Sequence, residues 1–252
     1  MFLQELELDG QTTVAEIVRK DYRTAEVFSK YGIEYCCGAK WPLATICIMK
    51  GIEENVLIKE LEKAARTILL PPTLSFENWS VDFLVDYIIN IHHYYLEKKL
   101  PDLEIALTDF VLDHSKKYPY LNTLLSHFGK FHSECLLHLK YEEEVIFPYI
   151  RQIAHAFTKK ESFAHQLVRI LRKPVGKMID QDLELFVNNF PVFRELTNNY
   201  TPPVNACTNH HVILAKLKEL DYDMAQHIYL ENDILFPKII NMEKELLAED
   251  SF

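Results

Sequence analysis

Apolar positions along this chain fall at helical spacing over most of its length. Between residues 80 and 100, Val81, Leu84, Val85, Ile88, Ile89, Leu96 and Leu100 recur every three or four residues, which gives a helix one apolar face. The same periodicity marks three further long segments: 102–154 with a break near Tyr118-Pro119, 175–198, and 208–247. Four long segments with short connections, in a chain with only 6 Gly, predict an antiparallel helix bundle. The polar, basic stretch Thr158–Pro174 reads as a loop with some helix.

Residues 12–69 read as a separate small helical module. Thr13 followed by Glu16 has the form of a capping box. A helical pattern over Asp21–Tyr31 stops at Gly32, a cysteine turn follows, and Leu43–Met49 and Glu53–Leu69 give two more short helices. LPPTLS, residues 70–75, interrupts the pattern with two prolines. The expected organisation is therefore a small helical N-terminal domain over 1–70 and a bundle over 76–252.

Composition narrows the function classes. With 48% apolar residues, 15 Phe and 13 Tyr, the chain has ample material for a core, which excludes large-scale disorder. A formal net charge of -10 argues against nucleic acid or an anionic membrane as partner. No run approaches the roughly 18 apolar residues a membrane helix needs. The start MFLQELELDGQ has neither the basic flank nor the apolar run of a signal peptide. Five cysteines form no disulfide framework, as expected in a reducing cytoplasm.

The 11 histidines carry the chemistry. HLKYEEEVIFP (138–148) and HIYLENDILFP (227–237) align without a gap as H-x-x-x-E-x-x-x-x-F-P. At 3.6 residues per turn, His138 and Glu142 share one helix face, as do His227 and Glu231. Two such pairs facing each other offer imidazole nitrogens and carboxylate oxygens to two metal ions. A donor set of this kind, without thiolates, suits iron or manganese. A single His–Glu pair is ordinarily a surface pair; two copies with the same downstream Phe-Pro point to a site.

These motifs also carry a resemblance. TVAEIVRKDYRTAEVFSKYGIEYCCGAKWPL, INIHHYYLEKKLP, HLKYEEEVIFP, LTNNYTPPVNAC and HIYLENDILFP occur in the order found in the iron–sulfur cluster repair di-iron proteins, the RIC family. The resemblance implies a small N-terminal domain followed by a hemerythrin-like four-helix bundle holding two non-haem iron ions. It implies ligands at His93, His138, Glu142, His227 and Glu231, with both Glu residues bridging the irons. Helical periodicity aims His92 inward at least as well as His93; the family spacing, eight residues before Pro101, falls on His93.

The family's third helix supplies a further histidine, and KPVGKMIDQDLELFV has none. Counting forward from Pro174 and Met178 puts Asp182 in its place; counting back from LTNNYTPP puts Leu183 there. Asp182 is the residue taken as ligand. His165, which precedes this helix, is a second candidate for the missing ligand.

Cys36 and Cys37 stand in a turn where the family has Cys-Cys-Gly-Gly and this chain has Cys36-Cys37-Gly38-Ala39. A disulfide between neighbours is strained and easily reduced, so the pair is a candidate redox element. The expected function is repair of iron–sulfur clusters damaged by nitrosative or oxidative stress, as iron donor or redox partner. The damaged iron–sulfur proteins are the expected partners, in the cytoplasm, for a monomer or homodimer. The alternatives are a carrier or sensor of O2 or NO and an oxidoreductase that reduces NO, all using the same ligands.

Overall fold

The computed structural model describes residues 2–4, 8–36, 41–69, 75–161, 163–171 and 175–248. Cys37, most of the LPPTLS linker and Pro174 lie outside these residues. Residue contacts divide the chain into two units, Met1–Leu74 with Thr197–Lys218, and Ser75–Leu196 with Glu219–Phe252.

The first unit contains β1 (Phe2–Gln4), α1 (Val14–Lys20), α2 (Thr24–Lys30), α3 (Leu43–Lys50), α4 (Glu54–Ala65) and β2 (Thr67–Leu69). The capping box forms: Thr13 Oγ1 accepts from the Glu16 amide at 3.3 Å, and the Thr13 amide donates to Glu16 Oε2 at 3.0 Å. Gly51, at φ +67°, closes α3 in a left-handed conformation that a side chain would strain. Val14, Ile17, Phe28, Leu43, Leu57 and Leu61 form the core, and Val212 belongs to it. That membership explains why Thr197–Lys218 group with this unit, whereas the sequence boundary assigned them to the bundle. The helix expected over Glu53–Leu69 also ends early. After Ala65 the backbone extends and Thr67–Leu69 pair antiparallel with Phe2–Gln4.

The second unit is built from long helices interrupted by wide turns. α5 (Val81–Tyr87) runs through a π-helical stretch, Ile88–His93, into α6 (Tyr94–His114). α7 (Tyr120–Tyr141) passes through a second, Glu142–Ile146, into α8 (Phe147–Lys159). The short α9 (Ala164–Leu171) and then α10 (Val175–Leu196) follow. α11 (Thr208–Ile228), which belongs to this unit from Glu219 onward, continues through a third π stretch, Tyr229–Leu235, into α12 (Phe236–Ala248). Pro101 does not end its helix, although the segments read from the sequence, 80–100 and 102–154, meet there. It lies inside α6, where buried Leu96, Leu100, Leu103 and Leu107 keep one face in the core across the lost hydrogen bond.

Leu84, Ile88, Ile150, Val168, Leu235 and Phe236 lie in one continuous core. Toward the other end, rings from α7 and α10 interlock: Phe131 and Phe190 sit 5.1 Å apart, and Phe128 and Phe193 6.1 Å. This packing sets the rotation of α10. Met178, Asp182, Asn189, Phe190 and Phe193 turn inward, while Leu183 is 52% exposed.

Candidate metal centre

Each of the three π stretches carries a donor side chain: His93 ends the first, Glu142 opens the second, and Glu231 lies within the third. The repeated Phe-Pro has a physical part in two of them. Pro148 and Pro237 have no N–H to return to the carbonyl four residues back, and their rings crowd it, so the preceding turn widens. In the first stretch the extra residue per turn lets consecutive histidines both face inward, and His92 and His93 are each 1% exposed. An α-helical wheel forces a choice between them; the π turn removes it.

Two donor groups converge in the interior. His93, Glu142, His227 and Glu231 form one; His138, Glu142 and Asp182 form the other. In the first, His93 Nε2 lies 3.2 Å from His227 Nε2 and 3.5 Å from Glu142 Oε2, and His227 Nε2 lies 3.0 Å from Glu231 Oε1. In the second, His138 Nε2 lies 2.5 Å from Asp182 Oδ1 and 3.4 Å from Glu142 Oε1. Glu142 therefore turns one oxygen to each group, as a bridging carboxylate must. Glu231, expected to bridge as well, joins only the first group.

The residues fit a pair of metal ions. Both oxygens of Glu142, Asp182 and Glu231 are buried and receive no well-aligned hydrogen bond. Six unsatisfied carboxylate oxygens in a core are costly without a cation. Two donors each about 2.1 Å from one ion and at right angles stand about 3.0 Å apart, close to the spacing within both groups.

Electrostatics describe the same crowding. Burial raises the Glu142 pKa and the Glu231 charge adds to it, against the pull of His138. Burial also acts to raise Glu231, but the imidazoles of His227 and His93 outweigh it and hold Glu231 low. Burial opposes charge on His138, yet Asp182 and Glu142 hold its pKa up at about 11. Burial pushes His227 below its ordinary value.

Outer partners orient the imidazoles. His93 Nδ1 pairs with Glu143 Oε1 at 2.8 Å, a carboxylate–histidine contact that fixes the ring. His92 pairs through Nδ1 with Asp223 Oδ1 at 2.9 Å, and its ring lies parallel to His227 with centroids 5.7 Å apart. Sequence reasoning missed Glu143 and Asp223. The spacing Asp223, His227, Glu231, four residues each time, was the available signal for the second.

The remaining candidates sit elsewhere. Cys36 is half-buried in the first unit and belongs to neither donor group; Cys37 is not among the described residues. Cys135 is buried one turn before His138, and burial pushes its thiol far up, which disfavours the thiolate a metal needs. His165 joins neither donor group.

A helix bundle whose core holds interleaved histidines and carboxylates belongs to the class of metal-binding bundle proteins. Residues 85–239 match the model of the hemerythrin HHE cation binding domain, and this chain belongs to that family. Residues 10–65 match a second model, described as a domain of unknown function (DUF542). The chain is 28% identical over 218 residues to the iron-sulfur cluster repair protein YtfE of Escherichia coli O81 (strain ED1a), covering 86% of this chain and 91% of that one. The proteins of the same name from Escherichia fergusonii and Escherichia coli O127:H6 match with the same identity and coverage. No described helix is long and apolar enough to cross a membrane.

Proposed function

We propose that this chain is a di-iron protein that acts in the repair of damaged iron–sulfur clusters, in line with the cluster repair for which its relatives are named. One iron is held by His93, His227 and Glu231, the other by His138 and Asp182, with Glu142 between them. The observation that carries the reading is Glu142 itself, which is fully buried and faces a donor group with each oxygen. Bound iron would supply redox chemistry or serve as the delivered metal. The protein's own residues hold the two positions, orient His93 through Glu143, and exclude bulk water from the first. Asp182 in place of an imidazole adds negative charge and hardness, favouring iron over softer-ligand metals.

The test is the iron content of the purified chain, its optical spectrum, and recovery of a nitric oxide-damaged iron–sulfur enzyme on adding it. The reading expects two irons per chain and recovery that fails in Glu142→Gln. Two irons without recovery would favour binding of O2 or NO, a role to which a three-donor position with room for an added ligand is also suited.

A further inference from the structure

The two donor groups are unequal in a way that the paired sequence repeat conceals. The His93–His227 position has four protein donors, and every one of those residues is essentially sealed. Aromatic rings wall it in: Phe147 lies against His93 with centroids 5.5 Å apart, and His92 covers His227. The His138–Asp182 position has three donors, and the His138 side chain is 14% exposed. Two hollows flank His138 between α7 and α10, of about 320 Å³ and about 470 Å³. Both are lined by His138 and Gln181; Leu137 and Lys177 border the first, Lys130 and Glu134 the second. Gln181 itself is exposed.

Resting on the two-iron reading above, we propose that the His138–Asp182 position is the exchangeable one, with the α7–α10 cleft beside Gln181 as the portal for iron and small ligands. Each protein donor removed leaves a coordination place to water, and water on an ion in contact with solvent is replaced readily. The sealed position has one more protein donor, and none of its donor residues is more than 1% exposed. Its iron stays, keeping Glu142 charged and oriented, while the other iron comes and goes. An iron donor built this way delivers one ion per cycle without dismantling its core.

The experiment follows iron leaving the full chain, loaded with ferrous iron, into an excess of a colour-forming ferrous chelator. Two phases are expected, one iron each, with rates separated by about tenfold or more. Asp182→Asn should remove the fast phase and retain the slow one. Gln181→Trp and Leu137→Trp, both at exposed positions, should slow the fast phase several-fold and leave the slow phase and the iron content unchanged. Both irons leaving in one phase would overturn the inference, as would a fast phase untouched by both tryptophan variants or a slow phase lost in Asp182→Asn. A wild-type chain that takes up no iron would overturn the di-iron reading itself.

Discussion

His138 Nε2 and Asp182 Oδ1 stand 2.5 Å apart, joining α7 to α10 at the only third-helix donor of the described centre. Neighbouring Leu183 points away, 52% exposed. Asp182→Ala should therefore lower iron content from two to about one per chain, while Leu183→Ala should leave it at two. Metal analysis of the two variants side by side checks this, and an equal loss in both would count against Asp182 as a ligand.

Glu142 is the shared donor, so its loss should cost more metal than that of either neighbour. Glu142→Gln keeps shape and removes charge; bound iron should fall below one per chain with helical circular dichroism retained. Glu231→Gln should chiefly affect the His93–His227 position. Full iron content in Glu142→Gln would defeat the bridging assignment.

Metal-free protein should lose stability as pH rises from 7 to 10. His138 has a folded pKa near 11 against 6.5 in the unfolded chain, so its contribution is complete below 6.5 and fades toward 11. Glu142, raised above 4.5, acts in the same direction. His227, whose pKa is lowered, is neutral throughout this window and adds no slope. Iron must displace the His138 proton, so affinity should rise over the same range with proton release. Thermal melts of apo and loaded protein at several pH values should diverge; melts that stay parallel would contradict the ion-pair account.

Pro148 should trade helix stability for site geometry. Pro148→Ala restores an N–H and relieves crowding, against a proline penalty in helix interiors of about 3 kcal/mol. The variant should melt higher yet bind iron more weakly as the Glu142–Ile146 turn tightens. Unchanged iron affinity would show that proline does not hold the wide turn.

Removing residues 1–74 should leave iron binding in place but lower the melting temperature by several degrees. All six proposed ligands lie in the second unit, whereas Val212 loses the core it shares with Phe28, Leu57 and Leu61. A fragment as stable as the full chain would favour the simpler boundary at the LPPTLS linker.

The sequence by itself determined the helical architecture, because apolar residues three and four apart can bury a face only as helices. It also determined the His138–Glu142 and His227–Glu231 pairs, because four-residue spacing is local geometry. What it left open was rotation. Whether His92 or His93 faces the site depended on a π turn, which the alternation of apolar residues does not encode and which turns both inward. Whether Asp182 or Leu183 faces in depended on how α10 rolls against α7, fixed by ring contacts such as Phe131 on Phe190, eight residues beyond Asp182. The grouping of Val212 with the N-terminal helices was likewise invisible along the chain, since contacts between distant segments are a property of packing. Local spacing named the candidate His–Glu pairs; only tertiary packing set which oxygen of Glu142 faces which group and left one group nearer to solvent than the other.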